Sequence, residues 1–128
     1  MQGGSPAGVR LRTGPFARSL TRVLSAEAVT LGRLVFLSRP AARQISAGTE
    51  DGLRLLRHEL AHVAQFARDG TARFLWSYAV SYARGRRRGL PHGAAYSEIP
   101  YEREACAAER EGESLSPAGF PVYLRRGA

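Results

Sequence analysis

Residues 49–70, TEDGLRLLRHELAHVAQFARDG, read as one long amphipathic helix, and the rest of the chain is organised around it. Thr49 is suited to the N-cap, Glu50 and Asp51 place negative charge where the helix dipole favours it, and Asp69-Gly70 supplies a stop. Leu53, Leu56, Leu60, Val63, Ala64 and Ala67 recur at helical spacing as one apolar stripe. At about 100° per residue, His58, His62 and Gln65 fall on nearly the opposite side. The stripe is therefore expected to anchor the helix while the histidines face a cleft.

His58-Glu59-Leu60-Ala61-His62 is a His-Glu-x-x-His spacing. Two imidazoles one turn apart can meet one cation, and Glu59 between them is placed to take a proton from water rather than to act as a ligand. A hydrolytic zinc site needs a third protein ligand and an open position. The metzincin extension is excluded, because Gln65 stands where that motif has Gly and Arg68 where it has His. A carboxylate on a second helix is the other common solution. Ile99-Pro100-Tyr101-Glu102-Arg103-Glu104-Ala105 offers one, with Pro100 suited to a first helical position. Glu98, Glu102 and Glu104 all stand there as candidates.

The segment Leu55–Gln65, LLRHELAHVAQ, together with Tyr96–Ala105, YSEIPYEREA, resembles the gluzincin metallopeptidases. Within them the chain is most similar to the small HExxH domain called the extracellular contractile injection system core domain, and in size it is similar to the minigluzincins. The resemblance spans about residues 28–112. It implies that the glutamate of the Glu-x-x-Ala pattern, Glu102 here, is the third zinc ligand. Many relatives carry Asp directly after that Ala, where it orients a ligand histidine. This chain has Cys106, so another group must do that work or the site is weakened.

The activity implied is zinc-assisted hydrolysis of a peptide or protein substrate, with Glu59 as general base. Tyr96, Tyr101 and His92 are candidate oxyanion donors because they lie near Glu102 in sequence. Ala28–Gly32 and Arg33–Ser38 read as two short strands or one bulged strand, with Gly32 at the irregularity and Pro40 as a stop. The resemblance implies that an extended substrate lies against such a strand.

The remaining sequence sets boundaries. With 128 residues and 44% hydrophobic content, the chain is expected to form a single zincin-like domain over 15–128 after a flexible segment 1–14. One cysteine excludes an internal disulfide and any Cys-x-x-Cys metal site. No apolar run of signal-peptide length follows Arg10 and Arg12, so cytoplasmic residence is the default expectation; release by a specialised injection machine needs no such signal. The net charge of +8 comes entirely from arginine, and Arg84, Arg86, Arg87 and Arg88 form a basic patch for an acidic partner or a membrane surface. Nucleic acid is disfavoured, since no recognised binding fold accompanies the run.

Thr71–Arg84 reads as an aromatic helix, too short to span a bilayer and expected to cover the leucine stripe as a second core helix. Pro15–Ser25 reads as a short helix with Phe16, Leu20, Val23 and Leu24 on one side, Gly85–Ala95 as a Gly-rich loop rimming the cleft, and 112–128 as a tail packing back on the body. The expected class is α+β, mainly α-helical: an active-site helix, a glutamate-bearing helix and a short hairpin or small sheet.

Overall fold

The computed structural model describes residues 8–24 and 26–111. The expected packing of 112–128 lies outside these described residues. The architecture is α+β: strands β1 (Arg10–Arg12), β2 (Ala28–Leu31) and β3 (Leu34–Leu37), with helices α1 (Pro15–Val23), α2 (Arg39–Ala47), α3 (Glu50–Asp69), α4 (Thr71–Arg87), α5 (His92–Ser97) and α6 (Pro100–Glu111). The strands form one mixed sheet in the order β1-β3-β2. β2 and β3 are an antiparallel hairpin closed at Gly32, whose φ of 64° lies in the left-handed region that glycine tolerates. Arg10–Arg12, expected to belong to a flexible lead-in, instead pair parallel to Leu34–Phe36, and Val9 before them is fully buried.

Helix α3 is capped as its sequence requires, with the Thr49 hydroxyl accepting from Gly52 N at 3.0 Å and Gly70 terminating it. Its buried surface is much wider than one stripe. Leu56, Leu60 and Val63 pack against Val9, Val35, Leu37, Ala41 and Ile45, so the sheet and α2 cover the leucines. The aromatic helix α4 was expected in that role and does not fill it. Ala64 and Ala67, assigned to the stripe, are exposed because neither the sheet nor α2 covers that side of the helix.

On the other side of α3, Ala61 meets Ala105 and Ala108 of α6. Small residues at this contact let the two backbones come close, which brings the first turn of α6 over the histidine face. Helix α2 was not anticipated. Pro40, read as a stop, sits in its first turn, where a missing N–H costs nothing, and the Ser38 hydroxyl caps it by accepting from Ala41 N at 3.2 Å. Gly48, at φ 72°, ends α2 and allows an abrupt turn into α3.

Helix α4 runs to Arg87, so Gly85–Ala95 is not one loop: Gly85 is a buried helical residue against Ala95 of α5. Only Phe74 and Gly85 of α4 are buried. Phe74 stacks between Phe66 and Tyr101, at centroid distances of 3.9 and 4.4 Å, and meets the His62 ring edge-on at 5.9 Å. Helix α1 lies on the sheet through the small residues Ala17 and Thr21, leaving Phe16, Val23 and Leu24 exposed. No helix of the described residues is long and apolar enough to cross a membrane.

Candidate metal centre

His58 and His62 sit one turn apart on α3, and their Nε2 atoms converge on a single carboxylate of α6. His58 Nε2 lies 3.0 Å from Glu102 Oε1, and His62 Nε2 lies 3.0 Å from Glu102 Oε2. Glu102 is 2% exposed and has no arginine partner among the described residues; the Tyr78 hydroxyl also donates to its Oε2 at 2.7 Å. A buried carboxylate held by two imidazoles is the arrangement that a divalent cation with two nitrogen ligands and one oxygen ligand requires. The ligand atoms of His58, His62 and Glu102 all lie within 4.8 Å of one another. A tetrahedral zinc with bonds of about 2.0–2.1 Å spaces its donors by about 3.4 Å, so the cluster is already near that size.

Both rings are held from behind. The His58 Nδ1–H donates to Glu109 Oε1 at 2.7 Å, and the His62 Nδ1–H donates to Gln65 Oε1 at 2.8 Å. These acceptors keep the proton on Nδ1 and leave each Nε2 facing inward, as a metal ligand must be. Gln65 is itself fixed, since its Nε2 donates to Tyr101 O at 3.0 Å and Glu104 Oε1 at 2.6 Å. Arg57 secures the end of α6 by donating twice to the Glu109 carbonyl, at 3.0 and 2.8 Å.

The electrostatics follow from this clustering. Burial opposes a charge on His58, but the hydrogen bond to Glu102 and the charges of Glu59 and Glu102 outweigh it and push the imidazolium up to about 9. His62 is raised against the same burial by Glu102 and Glu59. Glu102 moves the other way: burial would raise its carboxyl, and the two histidines hold it below the ordinary range. Without metal, the centre is a buried ion-pair network whose protons a cation would displace.

Glu59 lies beside the histidines with 5% exposure, and the Thr30 hydroxyl of β2 donates to its Oε1 at 2.7 Å. Burial raises its carboxyl despite the opposing charges of His62 and His58. His58 and Glu59 form the floor of a cleft of about 550 Å3 whose walls include Ala28 of β2, Leu55 of α3, and His92 and Tyr96 of α5. β2 is an edge strand. Ser38 N donates to Glu27 O at 2.9 Å, so by antiparallel alternation Ala28 and Thr30 turn their backbone groups to the edge that no strand of the described residues pairs.

Of the residues singled out in the sequence, His58, Glu59, His62 and Glu102 come together, and Tyr96 and His92 stand in the cleft wall. His92 Nδ1 lies 2.9 Å from the Tyr82 hydroxyl. Tyr101 does not reach the cleft: its ring stacks on Phe74 and its hydroxyl donates to Asp69 Oδ2 at 2.7 Å. The rival ligands point away, Glu98 to Arg88 at 3.1 Å and Glu104 to Gln65 and Arg68. Cys106 groups with His58 and Glu109, and burial pushes its thiol up. Arg84, Arg86 and Arg87 end α4, with Arg88 as its C-cap.

Thr30, Tyr78 and Glu109 carry roles that sequence reading did not assign. Glu109 alone had a signal: it follows Glu102 by two helical turns and so shares its face.

The sequence model of the eCIS core domain matches residues 3–70, more than half of the chain. The chain belongs to this family. In this eCIS core domain the matched span holds β1, α1, the hairpin and all of α3, and it stops before Glu102 and Glu109. No curated protein and no solved structure matches the chain.

Proposed function

We propose that this eCIS core domain is a zinc-dependent peptidase of gluzincin type acting on a peptide or protein substrate. One observation carries the reading: two Nε2 atoms and a buried carboxylate from another helix converge beside a second buried carboxyl at the floor of an open cleft. His58, His62 and Glu102 would hold the cation, which when bound supplies Lewis acidity toward a carbonyl and toward water.

Glu59 handles the proton. Thr30 fixes its Oε1, leaving Oε2 to accept a proton from the attacking water and return it to the leaving amine. Its raised carboxyl suits both transfers, because a base far below neutrality accepts protons poorly. Tyr96 in the cleft wall is the candidate donor to the developing oxyanion. The free edge of β2 supplies backbone groups to align an extended chain.

The test is zinc content measured beside cleavage of an unfolded protein substrate. Glu59→Gln is expected to keep the metal and lose about 10²–10⁴-fold in turnover. Retained cleavage in that variant, or unchanged zinc affinity in His62→Ala, contradicts the reading.

Family membership supports a second reading, a non-catalytic module associated with a contractile injection machine, in which the metal only staples α3 to α6. It predicts that Glu59→Gln changes nothing measurable in the module's behaviour, while metal removal loosens the fold.

A further inference from the structure

The 17 residues of α4 include no acidic side chain, and they carry Arg73, Arg84, Arg86 and Arg87. The helix is anchored on one side only, by Phe74 in the aromatic stack and by Gly85 against Ala95. The sheet and α2 cover the leucines of α3, and among the described residues nothing buries the opposite face of α4. At 100° per residue that face carries Ala72, Trp76, Ala79 and Ala83 along its centre, with Leu75 and Arg86 on one flank and Arg87 on the other. All of these are exposed, Trp76 at 74% and Leu75 at 46%.

We propose that this outer face of α4 docks on an anionic lipid bilayer, with the helix lying in the plane of the surface. The chemistry of the face selects that partner. A large amphipathic ring above a flat alanine ridge fits the headgroup boundary, where Trp is favoured, and arginines at the helix end reach lipid phosphates. Among the described residues Arg86 and Arg87 have no carboxylate within ion-pair distance, whereas Arg88 is committed to Glu98. A nucleic acid is a poorer match, because the centre of the face is an alanine ridge whose one hydrogen-bonding group is the Trp76 indole N–H, too few to read base edges. At about 1.5 Å per residue the helix is about 25 Å long, enough to lie on a surface.

Trp76 is the only tryptophan in the chain, so its emission reports on this face alone. The full chain is mixed with phosphatidylcholine vesicles with and without phosphatidylserine, and Trp76 emission and vesicle flotation are measured. The expected result is a blue shift and flotation with the anionic vesicles only, both weakening with salt. Arg86→Gln with Arg87→Gln is expected to reduce partitioning about 25-fold, at about fivefold per arginine. Trp76→Ala is expected to abolish flotation while leaving the circular dichroism spectrum unchanged, since the ring touches little of the fold.

An emission spectrum insensitive to anionic vesicles overturns the proposal. So does an emission already blue-shifted without lipid, which means another part of the chain covers the face. Flotation that survives both variants, or binding to duplex RNA at least as tight as to vesicles, likewise overturns it.

Discussion

Glu109 Oε1 accepts from His58 Nδ1 at 2.7 Å, across a sequence separation of 51 residues. It stands one turn beyond Cys106 along α6. Cys106 lies close to the same ring. Glu109, not Cys106, is the carboxylate that holds this ring from α6. Under the proposed zinc reading, Glu109→Ala is expected to weaken metal binding about 10–100-fold, and Cys106→Asp in the same chain to restore most of that loss. Competition titration against a chelator reads both. Unchanged affinity in Glu109→Ala would mean that the hydrogen bond does not position the ring.

Legibility in the sequence followed the range of the interaction. The caps of α3, the histidine spacing and the Gly32 hairpin are set by neighbours within a few residues, and each was readable. Glu102 was reachable because its motif surrounds it. Tyr78 and Thr30 were not, since an aromatic in a helix and a threonine in a strand acquire these roles only when α4 and β2 pack beside α3. β1 is not legible because Arg-Leu-Arg is too short to show a period, and it pairs with the distant β3 next to the buried Val9. The partner of the leucine stripe is illegible for a related reason: α2, hidden by Pro40, supplies the Ala41 and Ile45 that cover it.

The Thr30 hydroxyl donates to Glu59 Oε1 at 2.7 Å, linking the edge strand to the proposed base. Thr30→Val keeps the shape of the side chain and removes only that donor. Under the peptidase reading, turnover is expected to fall about tenfold, because the base loses its fixed orientation, while zinc affinity stays level. Steady-state cleavage beside metal titration separates the two quantities. A loss confined to metal binding would place Thr30 in the scaffold of the centre instead.

Gly52 is the point of closest approach between α2 and α3. A Cβ there would stand 2.3 Å from the Gln44 carbonyl oxygen, a backbone atom that cannot swing aside. Gly52→Ala is therefore expected to destabilise the fold by about 3 kcal/mol, although alanine is the better helix former. Gly48→Ala, at a left-handed φ with open space around it, is expected to cost about 1 kcal/mol. Urea unfolding of the two variants gives the order; equal midpoints would show that the α2–α3 contact is loose.

Tyr101 fastens α6 to the end of α3 by donating to Asp69, whose carboxyl the Arg68 guanidinium and this hydroxyl hold down to about 2. A carboxyl lowered on folding adds stability above its unfolded value of about 3.9, and that contribution is lost as the pH falls through the folded value. Tyr101→Phe removes the hydroxyl and keeps the ring stacked on Phe74. The variant is expected to be slightly less stable than the parent at pH 6, with the difference shrinking below pH 4 and vanishing only below pH 2. Thermal unfolding of both proteins across that range is the measurement. A difference that stays constant with pH would assign the effect to ring packing, not to the Asp69 charge.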